Sequence, residues 1–319
     1  MTIDYTTLWI ILGFGFAGYS VIANDSVQTL GTFMNSNQDV KWQWMWLAAS
    51  VVLVFTLVTG WYANAGDISH GRLERIPWVQ PQWYHALAPL TLLILTRLGV
   101  PVSTSFLVLS VFTTSVLLEK MLVKSFLGYG IAAMVAYVIW IGLARVLNER
   151  TDILTRGREK WWRISQWVST GVLWYMWLSH DVSNIAVFLP RQISIELLLI
   201  VCVFFILLLG GMFYERGAKI QNIVKSKTDT RYVRSATLID FVYALVLYVF
   251  KIYNNIPLST TFVFLGLLAG REFAIATVMN KNMKRGVFPI VGRDFFKLMI
   301  GIVASIVIVL LVKELNEGL

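Results

Sequence analysis

The chain has 319 residues, 57% of them apolar and 14% charged, and a mean hydropathy of +0.68. A soluble domain usually carries about 25% charged residues. The composition therefore excludes a secreted domain, a nucleic-acid binder and an ordinary cytosolic enzyme, and leaves no room for a large soluble domain. The net charge of +9 is read as loop charge that sets orientation in a membrane, not as a sign of an acidic partner.

Charge-free windows of about 20 residues mark candidate spans. In the first half they are 5–24, 42–66, 76–96, 98–118 and 125–144. Apolar stretches in the second half run over 163–190, 193–214, 236–254, 257–279 and 295–313. Apolar runs of this length in lipid must be helical to satisfy their own backbone. The expected fold is an all-α integral membrane protein of about ten spanning helices. The basic stretches 145–163, 215–234 and 281–297 are expected in the cytoplasm, with both termini outside. Trp42, Trp44, Trp46, Trp61, Trp78, Trp83, Trp161 and Trp162 lie near span ends and read as an interface belt. Asp240 is expected near the cytoplasmic edge, and Arg271-Glu272 as an ion pair. The first five residues carry no positive charge, unlike a cleavable signal peptide. Cys202, the single cysteine, reads as packing.

Two short motifs occur twice. Ala23-Asn24-Asp25-Ser26-Val27-Gln28 pairs with Ser179-His180-Asp181-Val182-Ser183-Asn184. Pro101-Val102-Ser103-Thr104-Ser105-Phe106 pairs with Pro257-Leu258-Ser259-Thr260-Thr261-Phe262. Asp25 and Asp181 are 156 residues apart, as are Pro101 and Pro257. The expected layout is a first repeat over 1–147, a basic cytoplasmic linker over 148–162 and a second repeat over 163–319. Five spans per repeat is an odd number, so the halves would lie in opposite orientation, the inverted-repeat plan of many secondary transporters.

Such folds place the substrate at the midplane, where broken helices meet. Asn24-Asp25 is expected to interrupt a long apolar helix there. Each proline is expected to start a helix whose N-terminus favours an anion. Ser103, Thr104, Ser105, Ser259, Thr260 and Thr261 would add hydroxyl donors. A carboxylate inside the bilayer is a functional hypothesis by default. A coupling cation, Na⁺ or H⁺, would offset the cost of Asp25 and Asp181, and His180 beside Asp181 permits proton coupling.

These motifs resemble the inorganic phosphate transporter (PiT) family. Its members carry two Gly-x-Asn-Asp-x-x-Asn motifs and two Pro-Val-Ser-Thr-Thr loops in inverted halves. The resemblance implies a cation-coupled symporter of inorganic phosphate. Carried over by position, Asp25, Gln28, Asp181 and Asn184 would face substrate or cation. The hydroxyls at 103–105 and 259–261 would hold the oxyanion, and Asn24, Asp25, His180 and Asp181 would couple the cation. This chain has Gln28 and His180 where the motif has asparagine, and Phe106 and Phe262 where many members have histidine. Another oxyanion such as sulfate, or a transport-inactive sensor or partner-binding protein, are the alternative readings. No metal cluster, nucleophile–base motif or phosphate-cradling glycine loop is visible, so no enzyme activity and no cofactor beyond the transported co-ion is expected. The expected surroundings are a lipid bilayer, taken to be the bacterial cytoplasmic membrane. Nucleic acid is not expected as a partner, and the sequence leaves a homo-oligomer open.

Overall fold

The computed structural model describes residues 5–98, 102–147, 159–217, 233–253, 257–278 and 286–317. Most of the expected linker 148–162, most of the basic stretch 215–234, the start of 281–297 and Pro101 lie outside the described residues.

Among the described residues there are only helices, turns and loops. In chain order these are α1 (Tyr5–Ser20), a π-helical turn (Val21–Ser26), α2 (Val27–Ser36), α3 (Trp42–Ala63) and, after an irregular segment and a 3-10 turn (Trp83–Ala86), α4 (Leu87–Arg97). Next come α5 (Thr104–Val108), a second 3-10 turn (Leu109–Phe112) and α6 (Ser115–Leu147). The second half holds α7 (Glu159–Asp181), α8 (Ser183–Ala186), α9 (Ile195–Tyr214), α10 (Val233–Tyr253), α11 (Thr260–Val278) and α12 (Phe288–Glu317).

Among the described residues, seven helices are long and apolar enough to cross a membrane, against the ten spans expected of the whole chain. They cover Tyr5–Ser36, Trp42–Ala63, Ser115–Gly142, Ile195–Tyr214, Val233–Phe250, Thr260–Val278 and Phe288–Leu315. Each shortfall has a local cause. Pro77 and Pro81 keep the start of 76–96 out of helix, so α4 is only 11 residues long. The window 98–118 is split at Thr113, whose backbone is extended, and Thr114 restarts the helix by accepting from the Leu117 N–H at 3.3 Å. In 163–190, α7 is 23 residues long but carries Gln166, Ser169, Thr170 and Ser179.

Asn24-Asp25 does not interrupt its helix. Residues 5–36 run on as one 32-residue helix, widened at Val21–Ser26 into a π turn. A π turn leaves the i→i+4 ladder locally and is often found at functional sites. Ser26 donates its hydroxyl to the Ile22 carbonyl inside that turn. In the second half α7 ends at Asp181, and the short α8 starts two residues later.

In the first half α1 packs against α4, and in the second α7 packs against α10. Across the halves, α3 packs on α9, and α6 packs along α11. In lipid this packing depends on close approach, not on a hydrophobic drive between helices. Gly266 and Gly270, four apart on α11, provide it. A Cβ at either position would collide with the Tyr129 or Ala133 backbone carbonyl of α6. Two interface tryptophans are also ties: Trp46 Nε1 donates to the Ile206 carbonyl at 2.9 Å, and Trp61 Nε1 to the Ile193 carbonyl at 2.8 Å.

Candidate transport site

The first motif and the first proline loop meet inside the protein. Asn24 donates Nδ2 to the Asp25 carboxylate at 2.6 Å and to the Val102 carbonyl at 2.9 Å. Thr104, the first residue of α5, donates its hydroxyl to Asp25 Oδ2. Gln28, one turn along the same helix, reaches Asp25 Oδ1 at 3.5 Å. The π turn brings Asn24, Asp25 and, through the following turn, Gln28 to one face.

The second half repeats the arrangement. Asn184 donates Nδ2 to Asp181 Oδ1 at 2.7 Å. Thr260, the first residue of α11, lies close enough to Asp181 to interact with its carboxylate. His180, in the place of Asn24, turns away: its Nε2 is 3.0 Å from the Leu247 carbonyl on α10. The same nitrogen lies 3.4 Å from Arg72 Nη2, so it meets one acceptor and one donor.

The two halves converge. Ser105 donates to the Leu258 carbonyl of the opposite loop at 3.4 Å. Phe106 and Phe262 meet edge to face with centroids 5.5 Å apart. Asp25 and Asp181 are near enough to repel one another electrostatically. Asn24, Asp25, Gln28, His180, Asp181, Asn184 and all six hydroxyl residues of the loops are buried.

The hydroxyls divide their work. Ser103 and Ser259 act as helix caps, accepting from the Phe106 and Phe262 N–H groups at 3.3 and 3.4 Å. Thr104 and Thr260 face the aspartates, Ser105 joins the loops, and Thr261 is buried beside them. The second loop is anchored twice more. The Ser259 N–H donates to Ser125 Oγ at 2.8 Å, and the Tyr243 hydroxyl donates to the Thr260 carbonyl at 2.9 Å.

Three buried oxygens in this cluster, Asn24 Oδ1, Asp181 Oδ2 and Asn184 Oδ1, have no hydrogen-bond partner. Buried acceptors without donors are costly. A cluster of oxygen acceptors around two carboxylates suits a hard cation, and the hydroxyl N-terminal turns of α5 and α11 suit an anion. A cavity of about 400 Å³ reaches the π turn at Ile22 and Ala23. Arg97, whose Nη2 donates to the Tyr19 hydroxyl at 2.5 Å, also lines it.

Sequence reading did not find Tyr243, which interacts electrostatically with both aspartates. A tyrosine in an apolar helix has no local signal beyond packing. It also did not find Arg72, buried against His180, because a lone arginine in a mixed-charge segment reads as solvated. Asp240, expected near the cytoplasmic edge of its span, is also part of the buried interior. It is fully buried between α2 and α7, where Thr32 donates to Oδ1 at 2.6 Å and Thr170 to Oδ2 at 2.5 Å. Arg271 and Glu272 form the expected pair at 3.3 Å.

No protein-family model and no curated protein matches the chain. Among solved structures it is similar to one described as the sodium-dependent phosphate transporter, over 100% of both chains, with a TM-score of 0.64 at 16% sequence identity. At that identity the two chains share a fold: the chain is a multi-helix protein with the architecture of that transporter.

Proposed function

We propose that the chain is a secondary transporter of inorganic phosphate, driven by a Na⁺ or H⁺ gradient and working by alternating access in a cell membrane. The halves 1–147 and 163–319 act as inverted repeats that rock about the shared site. The observation that carries this reading is the meeting of both aspartate motifs and both proline loops at one buried place, with Ser105 bonded to Leu258. A structural role alone does not call for two like-charged, buried carboxylates drawn from opposite halves of the chain, since each costs about 3 kcal/mol or more in a bilayer.

The cation is held by Asp25, Asp181 and the partnerless oxygens of Asn24 and Asn184. Its charge offsets the carboxylates, so cation and anion enter together. The anion is held by Thr104, Ser105, Thr260 and Thr261 at the first turns of α5 and α11. Phosphate can donate a hydrogen bond to a carboxylate, whereas sulfate at neutral pH cannot. The carboxylates beside the anion therefore favour phosphate. The solved transporter of the same fold is named for sodium and phosphate, which agrees with this choice.

The test is uptake of radiolabelled phosphate into proteoliposomes of purified protein, with an imposed Na⁺ gradient, an imposed pH gradient or neither. Uptake above the no-gradient control under one gradient, competed by phosphate more strongly than by sulfate, is the expected result. Equal uptake with and without both gradients would remove the symport mechanism. No uptake of either anion would remove the transporter reading.

A further inference from the structure

Arg97 is a cation that the transport cycle above does not use, and it meets α1 far from either end of that helix. Near the start of α1, Thr6 accepts from Gln80 Nε2 at 2.9 Å. Arg97 Nη2 donates to the Tyr19 hydroxyl, and the guanidinium lies 5.3 Å from the Tyr19 ring centre. Tyr19 is 13 residues beyond Thr6 and 17 before Ser36, where the continuous helix ends. By helix rise the contact is about 20 Å from one end and about 25 Å from the other. Arg97 is exposed at that depth. An ionisable side chain deep in a membrane faces the bundle interior or a water-filled cavity, and marks an ion or substrate path.

The cavity of about 400 Å³ is that space. Its wall runs from Ala23 of the π turn, past Arg97, to Glu215 and Gly217 at the end of α9. The two faces of the protein differ here. On the face where Gln80 meets α1, the irregular segment between α3 and α4 folds inward. His70 and Gly71 both have positive φ, 56° and 74°, a left-handed pair that reverses the chain, and Ile68, Arg72 and Leu73 are buried. α9 starts on that face, where the Ile193 N–H donates to the Gly66 carbonyl at 3.0 Å. It ends on the other, where the rings of Tyr214 and Trp42 lie 5.8 Å apart. The cavity therefore leads from the π turn toward the second face. Among the described residues no carboxylate forms an ion pair with Arg97, Glu215 of the same wall included. Thr96, the neighbouring wall residue, is 5% exposed, and its hydroxyl oxygen has no hydrogen-bond partner.

We propose that Arg97, with Thr96 beside it, forms an outer capture site for the oxyanion, which docks on the guanidinium from the face where α9 ends and then passes Ala23 to reach the paired aspartates. This rests on the transporter reading and deepens it by naming the route. A guanidinium has five N–H donors. Tyr19 takes one and fixes the group's place, and the rest can pair with two oxygens of a tetrahedral anion. The apolar wall at Ile22 and Leu208 lowers the local dielectric and strengthens that attraction. Ala23 stands two residues before Asp25 on the same π turn, so the outer and buried sites are neighbours.

The experiment places a thiol in the cavity wall by Gly211→Cys, where an added Cβ meets nothing within 4 Å, in a Cys202→Ala background. The full chain in lipid nanodiscs, open on both faces, is treated with an anionic or a cationic methanethiosulfonate reagent, and each rate is divided by that for free cysteine. Both reagents are expected to react, the anionic one at least fivefold faster on this scale, and inorganic phosphate is expected to slow it. Arg97→Gln should remove that preference and the phosphate effect, and raise the KM for phosphate uptake at least tenfold, while Arg97→Lys keeps the preference. Leu208→Cys repeats the measurement from a second point of the wall. A thiol that reacts with neither reagent at both positions means that lipid fills the cavity, and overturns the proposal. Arg97→Gln that melts lower but keeps preference and phosphate effect means a structural role, and also overturns it. Either failure beside normal uptake leaves the transporter reading standing. Phosphate that slows the anionic reagent in a protein that moves no oxyanion keeps the capture site and removes the transporter reading.

Discussion

The hydroxyl of Ser105 in the first proline loop donates to the carbonyl of Leu258 in the second at 3.4 Å. Next to this bond Phe106 and Phe262 meet edge to face. Both rings are almost fully buried, so each Phe→Ala change is expected to cost about 3–5 kcal/mol. Because the rings touch, the double variant should lose less than the sum of the two singles. Thermal melting of the four proteins in detergent checks this, and strict additivity would mean that the rings do not support one another.

The paired carboxylates are expected to be indispensable for coupling. Asp25→Asn and Asp181→Asn keep size and one acceptor oxygen but remove the charge that a cation offsets. Each should lower gradient-driven phosphate uptake at least 100-fold without a comparable loss of thermal stability. Full activity in both variants would remove the mechanism. Thr104→Val, which takes a donor from Asp25, should weaken uptake less than either aspartate change.

Close helix approach makes two glycines on α11 intolerant. Gly270→Ala places a Cβ against the Ala133 carbonyl and Gly266→Ala one against the Tyr129 carbonyl. Backbone cannot move aside as a side-chain tip can, so each is expected to destabilise by about 1–3 kcal/mol. Gly130→Ala is the control, because nothing stands within 4 Å of its added methyl group, and it should melt like the parent. A parental melting temperature in Gly270→Ala would mean that α6 and α11 are further apart than described.

Asp240 joins three helices through Thr32 and Thr170. Thr170→Val leaves a buried carboxylate oxygen short of a donor and should cost about 1–3 kcal/mol. Asp240→Asn retains an acceptor for one threonine and should be tolerated better than Asp240→Leu, which strands both hydroxyls. Melting curves that rank Leu above Asn would contradict the buried three-helix junction.

Near the start of α7, the Arg163 guanidinium hydrogen-bonded to Asp39 at 3.1 Å holds the Asp39 carboxyl below its usual range. A depressed carboxylate stabilises the fold above its unfolded value of about 3.9, and that contribution is lost as pH falls through the lower, folded value. The pair is exposed on both sides, so it is worth less than about 1 kcal/mol. Asp39→Asn should therefore melt within a few degrees of the parent at pH 7, and the difference should shrink as pH falls below the unfolded value of about 3.9. A gap that widens on acidification would reverse the sign and remove the pair as its cause.

Much of the helical layout is legible in the sequence because hydropathy acts over whole segments. The apolar runs at 42–66, 193–214 and 257–279 became α3, α9 and α11 within a few residues at each end. The windows 76–96 and 98–118 misled, because a charge-free count cannot weigh Pro77, Pro81 or the extended turn at Thr113. Asp25, Asp181 and the two proline loops are legible as candidates through their equal spacing. Tyr243 and Arg72 are not, because a single residue of a common type carries no periodicity and no partner within its own segment.

The sequence by itself determined that this is a helical membrane protein with two matched sets of acidic and hydroxyl residues. Bilayer thickness and backbone satisfaction impose the first, and the shared spacing of 156 residues reveals the second. Only the tertiary structure decided that the two sets touch, that the first aspartate rides on a π turn rather than a break, and that a buried arginine stands beside the second. Those outcomes depend on which helices approach closely and how a chain reversal at His70-Gly71 folds inward, and such contacts join residues far apart along the chain, where no local pattern records them.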